Sequence, residues 1–417
     1  MCRRRIFKER LILIELQNPA IKIIESVNAV ASDPSAIDVS VAQVTLTDFR
    51  CYAFERLECG PEPVVLSGPN GAGKTNLLEA LSFLVPGRGL RRARLSEVGR
   101  ADAGGLHKPW AVAASIETTA GSINLGTGLD ITKSSEGRER RAVHVNGETV
   151  KSQAVLGEYL NALWLTPQMD RLFIEGPSAR RRFLDRLVFG YDPAHAGRVA
   201  AYEKAMRERS RLLRDQGAGA DAAWLAALEE TMAARGIAVV AARQLMAARL
   251  HKICAARTGV FPASEIAVAG GLETWLGEMP ALAVETRFLE TLAMSRSSDA
   301  AAGGTAMGPH KSDMDVRHLG NGQRAALCST GEQKALLIAL ILANAELQAE
   351  ERGSQPLLLL DEVAAHLDDK RRQALFAEIL DLGAQAWMTG TDRSLFVPLE
   401  GRAQFFEVKD AALLRIS

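Results

Sequence analysis

The run "GPNGAGKT", Gly68 to Thr75, constrains this chain more than any other stretch. It fits the pattern G-x-x-x-x-G-K-[S/T] in full. Its flanks fit as well. "VVLS" ahead of it has the composition of a short buried strand, and "NLLEALSFL" behind it puts Leu77, Leu78, Leu81 and Leu84 on one side of a helix. A strand, a glycine loop and a helix in that order turn backbone N–H groups inward around an anion, with the positive end of the helix dipole behind them. Lys74 is expected to reach the β- and γ-phosphates of a nucleotide, and Thr75 to hold Mg²⁺ through its hydroxyl. The candidate nucleotide-binding residues are Gly68, Pro69, Asn70, Gly71, Ala72, Gly73, Lys74, Thr75 and Asn76. The bland alternative is a glycine turn that binds nothing, and the intact strand and helix weigh against it.

At 417 residues the chain has room for two or three domains. Residues 1–40 read as an N-terminal extension and linker, small, polar and proline-containing in "NAVASDPSAIDVS". Residues 41–175 are strand-rich. "VAQVTLTDF" alternates apolar and polar, and "AVHVNGETV" reads as a hairpin in which Asn146 and Gly147 supply the positive φ angles of a tight turn. Residues 176–300 turn to alanine, arginine, leucine and glutamate at helical spacing, as in "AYEKAMRERSRLL". "SRSSDAAAGGTAMG" reads as a flexible loop that closes this segment. Residues 301–417 return to alternation: helix "QKALLIALILANAEL", strand "PLLLL", helix "KRRQALFAEIL", strand "QAWMT".

Two further runs carry chemistry. "LLLLDE" is a buried strand ending in Asp361 and Glu362, and polar groups at the C-terminal edge of a parallel strand face ligands. Paired with the phosphate loop, Asp361 can bind Mg²⁺ through water, and Glu362 can orient and polarise an attacking water. "STGEQK" opens the apolar helix that precedes this strand. Ser329 can cap that helix, and the N–H groups beside Gly331 offer an anion site. Asp368 can cap the helix that follows the acidic pair.

The order of these parts resembles the ABC ATPase superfamily: Walker A, a helical insertion, S-x-G-[EQ]-Q, then D-E. That resemblance implies that Ser329, Gly331 and Glu332 complete the nucleotide site of a second subunit packed head to tail. It narrows further. "LTDFRCY", "GPNGAGKTNLLEAL", "RARLSE", "GPSARRRFLDRLV", "GPHKSDM", "STGEQKALLIALILA" and "LLLLDEVAAHLDDKRR" resemble the RecF family over nearly all of residues 41–395. The resemblance implies an α/β fold: an ABC/SMC-type ATPase head with an antiparallel β lobe and an inserted α-helical lobe, without long coiled-coil arms. It also implies ATP and Mg²⁺ as cofactors, an ATP-induced homodimer, and DNA binding at single-strand gaps or duplex junctions. RecR and RecO are the implied partners, with RecA indirectly. By the same resemblance Glu362 and Lys74 are catalytic, Asp368 falls at the D-loop, and Gln168 in "WLTPQMD" joins Thr75 and Asp361 as a metal ligand. In the motif "GPHKSD" Lys311 stands where many members have arginine. The switch histidine of ABC transporters is absent, with Thr389 or Thr391 in its region.

Formal net charge is zero, so nucleic-acid binding requires local basic patches. Arg88, Arg91, Arg92 and Arg94 form one cluster that leans toward DNA; Arg180, Arg181 and Arg182 form another, balanced between DNA and ordinary ion pairing. Few aromatics are present to stack single-stranded bases. The five cysteines are odd in number, scattered and without a CxxC pair, which fits a reducing cytosol and disfavours a zinc ribbon. His144, His310, His318 and His366 lack metal-ligand spacing. No apolar run approaches the roughly 18 residues of a membrane span, so no membrane partner is expected and a cytoplasmic location is. The basic start is read as not a signal peptide, because Glu15 and Gln17 break its apolar run. The rival readings are an ABC transporter's nucleotide-binding subunit and a scaffold that clamps ATP without hydrolysing it.

Overall fold

The computed structural model describes residues 39–102, 104–130 and 139–416. The proposed N-terminal extension lies almost wholly outside the described residues. The chain divides into two compact units, one containing Arg171–Arg257 and Pro262–Ser329, the other containing the residues before and after them with Thr258–Phe261.

The second of these units opens with strands β1 (Ser40–Phe49) and β2 (Tyr52–Glu58), then β3 (Val64–Ser67) and helix α1 (Lys74–Ser82). Strands β4 (Ala111–Thr118), β5 (Gly121–Leu129), β6 (Arg141–Val145) and β7 (Glu148–Thr149) complete an antiparallel sheet in the order β2-β1-β4-β5-β6-β7. The turn between β6 and β7 has Asn146 at φ 50 and Gly147 at φ 85, the conformation that the Asn-Gly pair favours. Strand β8 (Ala162–Leu165) leaves this lobe for the other sheet. Leu77, Leu78, Leu81 and Leu84 are fully buried, so the apolar side of α1 faces the core as its spacing requires. Phe49, Phe83 and Trp110 meet at centroid distances of 4.9 to 6.0 Å beneath it. Arg141, driven by burial down to about 10, carries no carboxylate partner among the described residues. Its guanidinium donates instead to the Phe83 and Gly87 carbonyls just beyond the C-terminus of α1, where the helix dipole favours a cation.

The helical unit contains α2 (Pro177–Phe189), α3 (His195–Gln216), α4 (Ala222–Ala256), strand β9 (Ser264–Ala269), α5 (Gly271–Leu276), α6 (Ala281–Met294), α7 (Arg296–Ala302) and strand β10 (Asp313–His318), with β9 and β10 antiparallel. Tyr202, Met232, Ile237, Val240, Phe288 and Leu292 form its core. The run read as a flexible loop is helical over Arg296–Ala302. The reason is tertiary. Arg209, fully buried, donates to Asp299 Oδ2 at 2.7 Å and to Glu229 Oε1 at 2.9 Å, and Arg296 also pairs with Glu229. These bonds fix residues whose serine and glycine neighbours favour a loop locally.

The chain then re-enters the first unit described. Helix α8 (Thr330–Arg352), β11 (Leu357–Leu360), α9 (Asp369–Leu382), β12 (Ala386–Gly390), β13 (Gln404–Lys409) and β14 (Ala412–Ile416) follow. The second sheet has the order β14-β13-β3-β12-β11-β8, parallel except for the edge strand β14. All four leucines of β11 are buried, at about 1.5–3 kcal/mol each. Strands from residues 64–165 and from residues 357–416 thus build one sheet, with β3 and β11 flanking β12 and the loops after all three on one edge.

Candidate nucleotide site

The phosphate loop depends on glycine at two points where the structure leaves no alternative. Gly68 has φ 148, and a Cβ there would lie 2.2 Å from the Val408 carbonyl oxygen. Gly73 has φ 120, and its Cβ would meet the Tyr52 hydroxyl at 2.7 Å. That buried hydroxyl donates to the Gly73 carbonyl at 3.1 Å, so β2 props the loop from behind. Helix α1 begins at Lys74, and among the described residues no side chain caps it and no acid stands in its first turn. Such a helix start presents bare N–H groups and a positive dipole end to an anion.

Four predicted residues converge beside this helix start. The Thr75 hydroxyl donates to Asp361 Oδ1 at 2.8 Å. Lys74 Nζ donates to the Gly68 and Pro69 carbonyls at 2.6 and 3.0 Å and lies 3.7 Å from Glu362 Oε1. For Lys74 to engage a phosphate, its two bonds to the loop must open. Thr75 and Asp361 are hard oxygen donors already in contact, a set that fits Mg²⁺ with water completing the shell. Gln168 sits exposed in the helical turn Pro167–Arg171, just beyond β8, the strand paired with β11. Among the described residues no hydrogen bond joins it to Asp361, so it lies on the same sheet edge but outside the cluster.

The other predicted residues stand at two helix starts. Ser329 is exposed immediately before α8, whose first turn carries Gly331 and Glu332. Asp368 caps α9, accepting from the Arg371 N–H at 2.9 Å, and Arg371 in turn donates to the Gly331 carbonyl at 3.1 Å. The first turns of α8 and α9 are therefore tied together.

Two residues to which sequence reasoning gave no role complete the cluster. Thr389, fully buried on β12, donates to Asp361 Oδ1 at 2.8 Å and accepts from the Glu362 N–H at 2.9 Å. Glu362 has φ 51, so its carboxylate is presented from a strained backbone that this bond helps to hold. Lys334, buried on α8, lies 3.6 Å from Asp170 Oδ2. Burial pushes its ammonium below the usual lysine value, against the pull of Asp170 and Glu362. Only Thr389's place in the region of a missing histidine pointed to it in the sequence.

The basic clusters divide. Arg180 grips Asp313 with two bonds of 2.7 and 2.8 Å, and Arg181 donates to the Ser312 carbonyl at 2.7 Å, so both are committed within their unit. Arg91 donates to Glu79 and Asn76 beside α1. Arg88 and Arg182 are exposed.

The profile of the RecF/RecN/SMC N terminal domain matches residues 40–400. A DNA replication and repair protein RecF from Mesorhizobium japonicum is 48% identical over 373 residues, covering 88% of this chain and 96% of the relative. The chain belongs to the RecF family. A second RecF, from Brucella suis, is 49% identical over 383 residues, covering 91% of this chain and 97% of its own. A solved structure of the recombination mediator protein RecF-ATPrS has the same fold, with a TM-score of 0.79 at 23% identity, covering 92% of this chain and all of that one. The two-sheet head with an inserted helical unit is thus a RecF architecture. A Smc head from Pyrococcus furiosus has a TM-score of 0.50 at 14% identity. Among the described residues of this RecF family member, no helix is long and apolar enough to cross a membrane.

Proposed function

We propose that this chain is an ATP-gated DNA-binding protein of recombinational repair, a slow ATPase whose turnover is stimulated by DNA. The observation that carries the reading is the convergence of Thr75, Asp361, Glu362 and Lys74 at the uncapped start of α1, in a chain nearly half identical to curated RecF proteins. The triphosphate of ATP lies along the loop from Gly68 to Asn76. Backbone N–H groups and the α1 dipole bind it, and Lys74 leaves the Gly68 and Pro69 carbonyls for the β- and γ-phosphates. Thr75 and Asp361 hold Mg²⁺, which when bound offsets the charge that builds on the phosphate oxygens. Glu362 orients the water in line with the γ-phosphate and accepts its proton, while Thr389 fixes the backbone from which Glu362 projects.

Ser329, Gly331 and Glu332 serve a second copy. The start of α8 receives the γ-phosphate of a partner's ATP, so two copies close around two nucleotides and hold DNA between gap and duplex. Arg371 carries the tie from Gly331 to α9, whose cap Asp368 stands in the D-loop. Gln168, at the adjoining strand end, would have to move toward Asp361 to serve as a further metal ligand. RecO and RecR join this complex to load RecA, and the work is cytoplasmic. An intact Asp361–Glu362 pair counts against a scaffold that only clamps ATP, and the RecF relatives count against a transporter subunit.

Sedimentation of Glu362→Gln with ATP, Mg²⁺ and gapped DNA tests the reading. The expected species is a nucleotide-bound dimer that does not dissociate. A monomer at saturating ATP would overturn the shared site.

A further inference from the structure

The motif "GPHKSD", residues 308–313, belongs to the helical unit, where a set of bonds holds its loop. Gly308 has φ 144, and any Cβ there would lie 2.1 Å from the Tyr202 hydroxyl. The Pro309 carbonyl accepts from Arg243 at 2.6 Å. His310 bonds Tyr202 through Nδ1 at 2.7 Å and the Thr305 carbonyl through Nε2 at 2.9 Å. Arg181 holds the Ser312 carbonyl and Arg180 the Asp313 carboxylate. Arg243 is itself buried, and is fixed by two bonds of 2.8 Å to Asp185. Buried ions of this kind are a costly way to gain stability and a good way to specify one conformation.

One charged side chain of the loop is left over. Lys311 is exposed, and no acid pairs with it among the described residues. Its surroundings are basic. Across residues 180–186 and 308–313 five cations stand against two carboxylates, an excess of three in a chain whose net charge is zero. Asp185 and Asp313 are both already engaged by arginines. A backbone fixed by so many bonds, with a glycine where no side chain would fit, presents one unpaired ammonium from a set position.

We propose that Lys311 is a phosphate-contact residue of the DNA site, meeting one phosphodiester of the nucleic-acid backbone from a preformed loop. This rests on the DNA-binding reading above and names a place for it. A lysine suits the role because a point charge on a flexible stem neutralises a phosphate without reading the base. The rigid loop means that only the side chain needs ordering when DNA arrives. An acidic protein surface is the competing occupant, and the test separates the two.

The experiment is equilibrium binding of a labelled gapped duplex, with ATP and Mg²⁺, across a salt series for wild type, Lys311→Ala and Lys311→Arg. Each neutralised duplex phosphate contributes about 0.9 to the slope of log affinity against log salt. The alanine variant is expected to lose about that much slope and to bind several-fold more weakly at low salt, and the arginine variant to keep the wild-type slope. A wild-type slope in Lys311→Ala, beside a wild type that binds DNA with steep salt dependence, overturns the lysine assignment alone and leaves an acidic partner. A wild type that does not bind DNA overturns both this inference and the function it rests on. An alanine variant whose melting temperature falls together with its affinity makes Lys311 structural and also overturns the assignment.

Discussion

Thr75 and Asp361, 286 positions apart in sequence, share a hydrogen bond of 2.8 Å in which the hydroxyl donates to the carboxylate. Asp361 is buried, and its Oδ1 also receives the Thr389 hydroxyl. Both of these donors are neutral hydroxyls, so neither supplies a counter-charge to the carboxylate. Asp361→Asn retains the shape and loses that charge. We expect phosphate release to fall on the order of 100-fold and its magnesium midpoint to rise. A magnesium titration of turnover checks this, and an unmoved midpoint would take Asp361 out of metal binding.

Thr389 joins the two acids from the next strand. Its hydroxyl is the acceptor for the Glu362 N–H, at a residue whose φ of 51 is unfavourable for a side chain. Thr389→Val leaves that N–H without its partner at a loss of about 1–3 kcal/mol. Stability to urea should fall by that order. Turnover should fall further while nucleotide affinity stays near wild type, because the residue that moves is the one that orients water. Thr389→Ser restores both if the hydroxyl is the cause.

Why the sequence disclosed Asp361 but not Thr389 follows from how each is encoded. The phosphate loop and the acidic strand end are local patterns: glycines where φ must be positive, four leucines and then two acids. Thr389 matters only because β12 lies beside β11 with Met388 opposite Leu360, and nothing in "QAWMTG" fixes that register. Tyr52 is similar, since its bond to Gly73 exists only once the first hairpin has packed against the loop. The seven residues of α7 were missed for the opposite reason: local composition spoke for a loop, and a buried arginine from α3 overruled it. For Arg180 and Arg181 the sequence leaves DNA binding and ion pairing balanced, because Asp313 and Ser312 are far along the chain.

Lys334 and Asp170 offer a test of coupling across the same site. The ammonium is buried and the carboxylate is about one-third exposed, at 3.6 Å. Removing only the acid strands a buried cation, whereas replacing both leaves no charge to strand. Asp170→Asn should therefore destabilise more than the double variant Asp170→Asn with Lys334→Met. The coupling energy should lie within about 0.5–3 kcal/mol, toward the lower end because solvent reaches Asp170. Urea midpoints for the two single variants and the double variant measure it, and simple additivity would show that the two charges do not act on one another.

His310 makes the helical unit sensitive to mild acid. Its Nε2–H donates to the Thr305 carbonyl, so its Nδ1 must accept the Tyr202 hydroxyl, and the ring is used in its neutral form. Burial holds its pKa below the ordinary 6.5, with Lys311 and Arg181 adding to the effect against the Thr305 bond and Asp299. Above 6.5 the ring is neutral in the folded and unfolded chain alike, and pH has no leverage through it. Below 6.5 the unfolded chain takes up a proton that the folded one resists, so stability declines as pH falls toward the depressed folded value. Asp185 acts in a lower window. Burial raises its pKa, but His195 and Arg243 outweigh that and hold it below 3.8, so its contribution is present above 3.8 and lost only in stronger acid. Between about pH 7 and about pH 5 the histidine is the group to watch. Wild type should lose more of its urea midpoint over that interval than His310→Gln, whose amide can accept from Tyr202 and does not titrate. Parallel losses in the two proteins would show that His310 does not bind the proton responsible.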